Sequence, residues 1–291
     1  MDNPKEFTHI SLCAGYGGID LGLKRVLPNL RTVAFSEIEA YAVANLVAKM
    51  EAGLLDAAPV WTDLKTFPWK DFRGKVDILS GGFPCQPFSS AGRRRGDEDP
   101  RHLFPYIKRG IALLRPSIVF LENVEGIISS KLGEGWSDRA GTSVLLHVLR
   151  ELERLGYKAE AGIFSASEIG APHQRKRVFI MGISNQGGLQ KTRTQLKTTR
   201  PPQSSQDIFP SRRGEDQNEW EPKRTTESSM GRDVDGSSDW MDYGDLCESV
   251  CNRTDELRLL GNGVVPATAE RAFRVLWRRL VNSHDDDGSR K

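Results

Sequence analysis

The stretch Val76–Gly92, VDILSGGFPCQPFSSAG, decides how this chain is read. It begins with Val76-Asp77-Ile78-Leu79, an apolar run of the kind that makes a buried strand. The run leads straight into Gly81-Gly82 and a cysteine set between two prolines. Pro84 and Pro87 restrict the backbone on either side of Cys85, and Gly81 and Gly82 would permit a sharp turn. The sulfur is therefore expected on a stiff loop at the carboxyl edge of a sheet, where open α/β sheets bind their ligands. A cysteine is more often a small buried hydrophobe than a nucleophile. Here its neighbours are Pro, Gln, Ser and Gly, no apolar run continues beyond it, and Arg93-Arg94-Arg95 follow closely. That setting fits a partly exposed thiol of depressed pKa.

Working outward toward the N-terminus, residues 9–13 read as a first strand. Ala14-Gly15-Tyr16-Gly17-Gly18 then forms a glycine turn, followed by a helical pattern to about Val26. Strand, glycine turn and helix bring backbone N–H groups against a nucleotide-like ligand. Asp20 stands where the third glycine of a dinucleotide G-x-G-x-x-G would be, which argues against NAD or FAD. Residues 31–36 read as a second strand ending at Glu37 and Glu39, about twenty residues beyond the turn, where an acid takes ribose hydroxyls. Glu37 is the better placed, and Glu39 reads equally as a helix-capping carboxylate. Helical periodicity covers 40–55. Asp63, after a third strand, suits either an adenine amino group or an N-cap.

Toward the C-terminus, residues 103–114 read as a helix stopped by Pro116, and 117–121 as a buried strand delivering Glu122-Asn123-Val124. A carboxyl there, beside a strand tip carrying a thiol, is a candidate acid with a pKa raised by burial. Residues 143–155 form an amphipathic helix with apolar positions at Val144, Leu145, Val148, Leu149, Leu152 and Leu155, ended by Gly156. Strands at 158–165 and 178–182 flank Ala171-Pro172-His173-Gln174-Arg175-Lys176-Arg177. A basic run is usually a solvated face, but one wedged between a proline and a buried strand suits arginines anchored on a phosphate or base edge. From 185 to about 239 the composition turns to Gln, Ser, Thr, Arg, Gly and Pro, with Trp220 and Trp240 as its strong anchors, which reads as loop or disorder. Order returns at Leu257, leading through Gly261-Asn262-Gly263-Val264-Val265-Pro266 into a helix to about Val281.

The whole-chain numbers limit the function classes. With 291 residues, 38% hydrophobic and 27% charged content and a net charge of +2, the chain has material for a real core and no global field toward nucleic acid or membrane. Any basic binding face is local. No apolar run reaches membrane-spanning length and the first residues lack a signal-peptide pattern, so a cytoplasmic protein is expected. Cys13, Cys85, Cys247 and Cys251 show no disulfide spacing. Cys247 and Cys251 have no matching ligand pair for zinc, and no metal site is visible.

Taken together, the ordered segments resemble the DNA cytosine-5 methyltransferase family. CAGYGG resembles its S-adenosyl-L-methionine loop, SGGFPCQPFS its nucleophile motif, LENV its ENV motif, APHQRKR its arginine motif and LLGNGVVP its final motif, in the family's order. The resemblance implies an α/β fold: a Rossmann-like, mostly parallel sheet with helices on both faces, plus a small, loop-rich recognition lobe. The implied divisions are a catalytic domain over 1–183, a recognition region over 184–256, the final motif and its helix over 257–282, folding back beside the first motif, and a mobile tail over 283–291. Cys85 would attack C6 of a cytosine flipped out of double-stranded DNA, and Glu122 would hold N3 and the amino group as an acid. Asn123 and Pro84 would fix loop and base, Arg177 would contact the base, and Arg175 would lie near the nucleophile. Gln86, Ser89, Arg93, Arg94 and Arg95 would meet DNA on a closing loop. Ala14, Gly15, Tyr16, Gly17, Gly18, Glu37, Ile38, Asp63, Leu64, Asn262 and Gly263 would line the cofactor pocket.

Departures from the family pattern are Ser11 in place of aspartate, Cys13 in place of phenylalanine and His173 in place of the glutamine many members carry. The recognition region is short and hydrophilic, with residues 235–240 as a candidate remnant of the usual bracing motif. The resemblance thus implies a monomeric bacterial or viral enzyme. It leaves open a catalytic subunit needing a separate recognition chain, and a binding-only relative, which would have no need of nucleophile and acid together. Gln86-Pro87-Phe88 after the Pro-Cys pair matches the DNA branch of the family rather than its RNA branch.

Overall fold

The computed structural model describes residues 6–84, 103–133, 136–171, 173–185 and 261–288. Cys85, Gln86, Ser89, Arg93, Arg94 and Arg95, together with Pro172, Trp220, residues 235–240, Trp240, Cys247 and Cys251, lie outside them.

Seven strands form one sheet: β1 (Phe7–Leu12), β2 (Leu30–Ser36), β3 (Val60–Trp61), β4 (Ile78–Gly82), β5 (Ile118–Val124), β6 (Tyr157–Phe164) and β7 (Arg177–Ser184). Their order is β3-β2-β1-β4-β5-β7-β6. Pairings are parallel from β3 across to β5, while β7 runs antiparallel to both β5 and β6. The sheet is thus mostly parallel. Chain order reverses between β1 and β4, so the segments leaving these two strands part and open a crevice at the carboxyl edge. The glycine turn leaves β1 at this edge, and β4 ends at the same edge in Gly82, followed by Phe83 and Pro84.

Helices cover both faces. On one side, α1 (Gly18–Val26) and α5 (Pro266–Gly288) bury Leu23, Val26, Phe273, Leu276 and Trp277 against Ile118, Phe120, Phe179 and Met181. On the other, α3 (Phe104–Leu114) and α4 (Val144–Arg154) bury Ile107, Ile111, Val148 and Leu152 against Leu79, Val119, Leu121 and Ile180. Successive β5 residues feed alternate faces, which is why a strand buried on both sides reads as an unbroken apolar run. The remaining helix, α2 (Ala40–Glu51), packs Leu46 against Phe35 and Leu55.

The C-terminal helix does lie beside α1, at close range. A Cβ at Gly22 would stand 2.5 Å from the Pro266 carbonyl oxygen and 2.8 Å from Ala269 Cβ. Three details differ from the sequence reading. Gly81 and Gly82 belong to extended β4 and make no turn; they admit neighbours, since a Cβ at 81 would meet the Leu12 carbonyl oxygen at 2.9 Å. The α2 helix ends at Glu51 rather than near 55, because Gly53 takes φ +72° and the amides of Gly53 and Leu54 close on Met50 and Lys49 carbonyls. The α5 helix runs to Gly288, into the segment expected to be a mobile tail, since no proline or glycine interrupts residues 282–287.

Candidate active site

The loop after β1 is bent by three left-handed residues, Cys13 (φ 47°), Gly15 (φ 54°) and Gly17 (φ 83°). Ala14 N donates to the Ser36 carbonyl and Gly17 N to the Ala14 carbonyl. Glu37, at the end of β2, accepts from Gly15 N at 2.7 Å and from Glu39 N at 2.9 Å. Each carboxylate oxygen keeps a further lone pair for a ligand hydroxyl. Beside it Ile38 is 72% exposed, and the space over Gly15 is open for 4 Å around a notional Cβ. Asp63 follows β3 and accepts from Lys65 N at 2.9 Å, so it does act as a cap. Glu37 N donates to the Trp61 carbonyl. Gly15, Glu37, Ile38 and Asp63 therefore meet along the carboxyl edge of β1, β2 and β3. An exposed apolar side chain, carboxylates and free loop backbone fit a nucleoside with its hydroxyls.

Other residues expected here sit differently. Leu64 is buried in the core with Ile10 and Phe67. Gly18 and Gly263 are buried against the neighbouring segment: a Cβ at 18 would lie 1.9 Å from the Val264 carbonyl oxygen, and one at 263 would lie 1.6 Å from the Tyr16 ring. Tyr16 itself is buried and turns toward 263–264. Asn262 is exposed.

A buried polar layer supports this loop. Ser11 donates to Asp20 Oδ2 at 2.8 Å, while the His9 ring lies 2.9 Å from Thr32 Oγ1 and 2.8 Å from Ser80 Oγ. Burial holds His9 neutral, lowering its pKa to about 3, and pushes Asp20 up to about 7 against the pull of its Ser11 hydrogen bond. The carboxylate missing at position 11 is thus present one layer away, on α1. Cys13 is likewise held neutral, pushed up to about 12 by burial and then by Glu37.

Across the crevice, the β4–β5 register sets Gly82 against Glu122, and the β5–β7 register sets Val124 against Arg177. The Glu122-Asn123-Val124 tripeptide is therefore the end of β5 itself. Gly82 lets this contact form as it stands: a Cβ there would stand 2.9 Å from Glu122 Oε2 and push the carboxyl aside. Asn123 Nδ2 donates to the Phe83 carbonyl at 2.9 Å and its Oδ1 accepts from Val124 N, which stitches the β5 tip to the residue before exposed Pro84. Glu122 is buried, with Arg177 Nε 3.0 Å from its Oε1. The contact is an ion pair and not an aligned hydrogen bond; neither atom has a well-directed partner among the described residues. Burial raises the Glu122 pKa to about 7, against the opposing charges of Arg177 and then Arg175. Arg175, at φ 32°, donates from Nη2 to the carbonyls of Gly261 (3.0 Å) and Gly263 (2.5 Å). Arg177 Nη2 reaches the Gly261 carbonyl at 3.4 Å.

Such an arrangement can hold a proton near neutrality at the tip of a strand, opposite Gly82 at the end of β4. A family model described as C-5 cytosine-specific DNA methylase matches residues 7–259. The chain belongs to that family.

Among curated relatives, the type II methyltransferase M.NlaX of Neisseria lactamica is 34% identical over 180 residues, covering 62% of this chain and 53% of the relative. M.PspPI of Psychrobacter sp. (strain TA137) is 32% identical over 189 residues, 63% of this chain and 41% of the relative. M.MspI of Moraxella sp. is 31% identical over 206 residues, 70% and 43%. The chain thus spans about half, or less, of the length of these relatives. Among solved structures, Schizosaccharomyces pombe Dnmt2 aligns with a TM-score of 0.51 at 22% identity, over 70% of this chain and 59% of that one. A Spodoptera frugiperda DNMT2 mutant aligns with a TM-score of 0.50 at 21% identity, over 62% and 51%. Both likenesses speak for the methyltransferase fold.

Two groups in this chain escaped the sequence reading. Lys49, only 4% exposed, donates to the Tyr16 carbonyl at 2.9 Å. Its position completes an i, i+4, i+7 face with Ala42 and Leu46, a periodicity that marks it as buried. Asp138, His147 and Glu151 present ligand atoms within 4.8 Å of one another. Their carboxylates are engaged by Arg154 and Lys108, and His147 Nδ1 lies 2.8 Å from Asp138 Oδ2, so the cluster is an ion-pair network. No helix among the described residues is long and apolar enough to cross a membrane.

Proposed function

We propose that this chain transfers a methyl group from S-adenosyl-L-methionine to C5 of a cytosine flipped out of double-stranded DNA. The observation that carries the reading is Glu122: a buried carboxyl with a pKa near 7, in register with Gly82 three residues before Cys85, and held by Arg177. The thiolate of Cys85 adds to C6, forming the S–C6 bond and moving the ring π electrons toward N3 and C5. Glu122 donates a proton or hydrogen bond at N3, offsetting the negative charge that addition creates. When bound, the cofactor supplies an electrophilic methyl group, which the activated C5 carbon accepts. The C5 proton then leaves to a base and the S–C6 bond breaks, returning the thiolate and the aromatic ring. Asn123 keeps the end of β4 aligned with the β5 tip while this happens, through its bond to the Phe83 carbonyl.

The cofactor's place is supported by the carboxyl edge of β1 to β3. Glu37 would accept ribose hydroxyls, Ile38 would cover one face of the adenine, and Asp63 would meet its amino group, with Gly15 leaving room for close approach; Gly17 is instead packed against Leu55, 2.8 Å from a notional Cβ. Glu122 acts as an acid only while protonated. Its activity is therefore expected to fall as pH rises through about 7.

The test is incubation of the chain with S-adenosyl-L-methionine and duplex DNA containing 5-fluorocytosine. Fluorine cannot leave C5 as a proton does, so the thiol stays attached. A covalent adduct that is lost in Cys85→Ser supports the proposal, and sequencing the trapped DNA gives the target. Cofactor binding without any adduct would overturn the stand-alone reading and favour a catalytic chain that needs a separate recognition partner.

A further inference from the structure

We infer that Tyr16 is a positioning residue for the Glu122 centre: it clamps the 261–265 segment, which in turn holds the guanidinium groups of Arg175 and Arg177. The inference rests on the reading of Glu122 as the acid. Sequence alone placed Tyr16 in the cofactor pocket, yet its side chain is 3% exposed and points away from the open face of the loop.

Tyr16 is fixed at three points. Its ring fills the space that Gly18 and Gly263 leave; a Cβ at 263 would lie 1.6 Å from its Cε1 and a Cβ at 18 would lie 2.9 Å from its Cε2. Its hydroxyl donates to the Val264 carbonyl at 2.5 Å. Its own carbonyl accepts from Lys49 Nζ at 2.9 Å, an ammonium that also binds Asn45 Oδ1 and stands 5.1 Å above the Tyr16 ring. A phenylalanine would fill the same space, and an apolar residue at 49 would avoid burying an ammonium. The polar contacts must therefore do something that packing alone does not.

What they hold is the backbone that binds both arginines. Gly261 and Gly263 carbonyls accept from Arg175, and the Gly261 carbonyl from Arg177, whose Nε faces Glu122 at 3.0 Å. Among the described residues, the charged groups acting on Glu122 are Arg177 on β7 and Arg175 in the turn before it, while β4 brings Gly82 against it and the Cys13 thiol of the β1 loop is held neutral. Loosening the 261–265 segment lets both guanidinium groups drift from Glu122. Less opposing charge then means a higher Glu122 pKa.

The test uses the full chain with tritiated cofactor and mixed-sequence plasmid DNA, comparing the parent with Tyr16→Phe, Lys49→Met and Glu122→Gln. Single-turnover methyl transfer is followed across the neutral range, and cofactor Kd is measured by equilibrium binding. The parent is expected to lose activity as pH rises through about 7, a limb that vanishes in Glu122→Gln. In Tyr16→Phe that limb should move upward by about half a unit with a roughly 5–20-fold lower rate, while cofactor Kd stays within about twofold. Lys49→Met should move it the same way, and thermal melting checks that both variants fold. An unmoved limb in both variants, or a weakened cofactor Kd as the sole effect of Tyr16→Phe, overturns the positioning role. A parent limb that survives in Glu122→Gln overturns the acid reading itself, and with it this inference.

Discussion

Glu122 and Glu151 are two buried carboxylates with opposite chemistry. Their side chains are 7% and 1% exposed, and burial pushes both pKa values upward. Glu122, at the tip of β5, meets one misaligned guanidinium among the described residues, that of Arg177, with the Arg175 charge adding to it, and ends at about 7. Glu151, in the middle of α4, is surrounded by Lys108, Ser137 and Arg154, whose hydrogen bonds and charge outweigh burial and bring it down to about 2. Burial therefore does not separate a chemical carboxyl from a structural one. The number of donors around it does.

The largest effect that sharpens this contrast is on rate. Glu122→Gln keeps the shape and removes the acid, so methyl transfer should fall by about 10²–10⁴-fold while the variant melts no lower than the parent. A loss below tenfold would remove Glu122 from the chemistry. Glu151→Ala should do the reverse. It strips an acceptor from three donors and is expected to cost about 2–3 kcal/mol of stability in urea titration, with the rate per folded molecule unchanged. The lower end of that range applies, because Lys108 and Arg154 are half-exposed and find water once released. A large rate loss in Glu151→Ala would show that the α4 network reaches the crevice after all.

Much of the crevice was legible in the sequence because its signals are local. An apolar run followed by Gly-Gly-Phe-Pro, or by Glu-Asn-Val, marks the strand tip within a few residues; Glu37 falls just after the end of β2 and Arg177 at the start of β7. The Tyr16 clamp was not legible. It joins residues 16, 49 and 264, and no spacing along the chain announces that meeting. Gly82 was read as a turn former since glycine's backbone freedom and its lack of a Cβ look alike in sequence; the contact with Glu122 distinguishes them. On α4 a signal was present but overlooked. Val144, His147, Val148, Glu151 and Leu152 follow the i, i+3, i+4, i+7, i+8 pattern of a buried face, whereas selecting only apolar residues favoured Leu145 and Leu149, which are partly buried. Polarity at 147 and 151 concealed the face that carries the network.

The smallest effect is the pH dependence of stability, and it separates the two carboxylates by sign. The Glu151 pKa lies below its ordinary 4.5, so its contribution is fully present above 4.5 and lost as pH falls through about 2. The Glu122 pKa lies above its ordinary 4.5, so the folded state holds that proton more tightly and loses stability as pH rises from 4.5 through about 7. Urea titrations of the parent and of Glu151→Gln should therefore differ by a constant amount at neutral pH and converge only in strong acid. The parent and Glu122→Gln should instead diverge between 4.5 and 7, by no more than about 1.4 kcal/mol per pH unit for one proton. Convergence of the Glu151 pair at neutral pH would mean that Lys108 and Arg154 do not hold that carboxylate in solution. A flat Glu122 difference across the window would mean that Arg177 binds tightly enough to cancel burial, and Glu122 would then be ionised when substrate arrives, unable to donate.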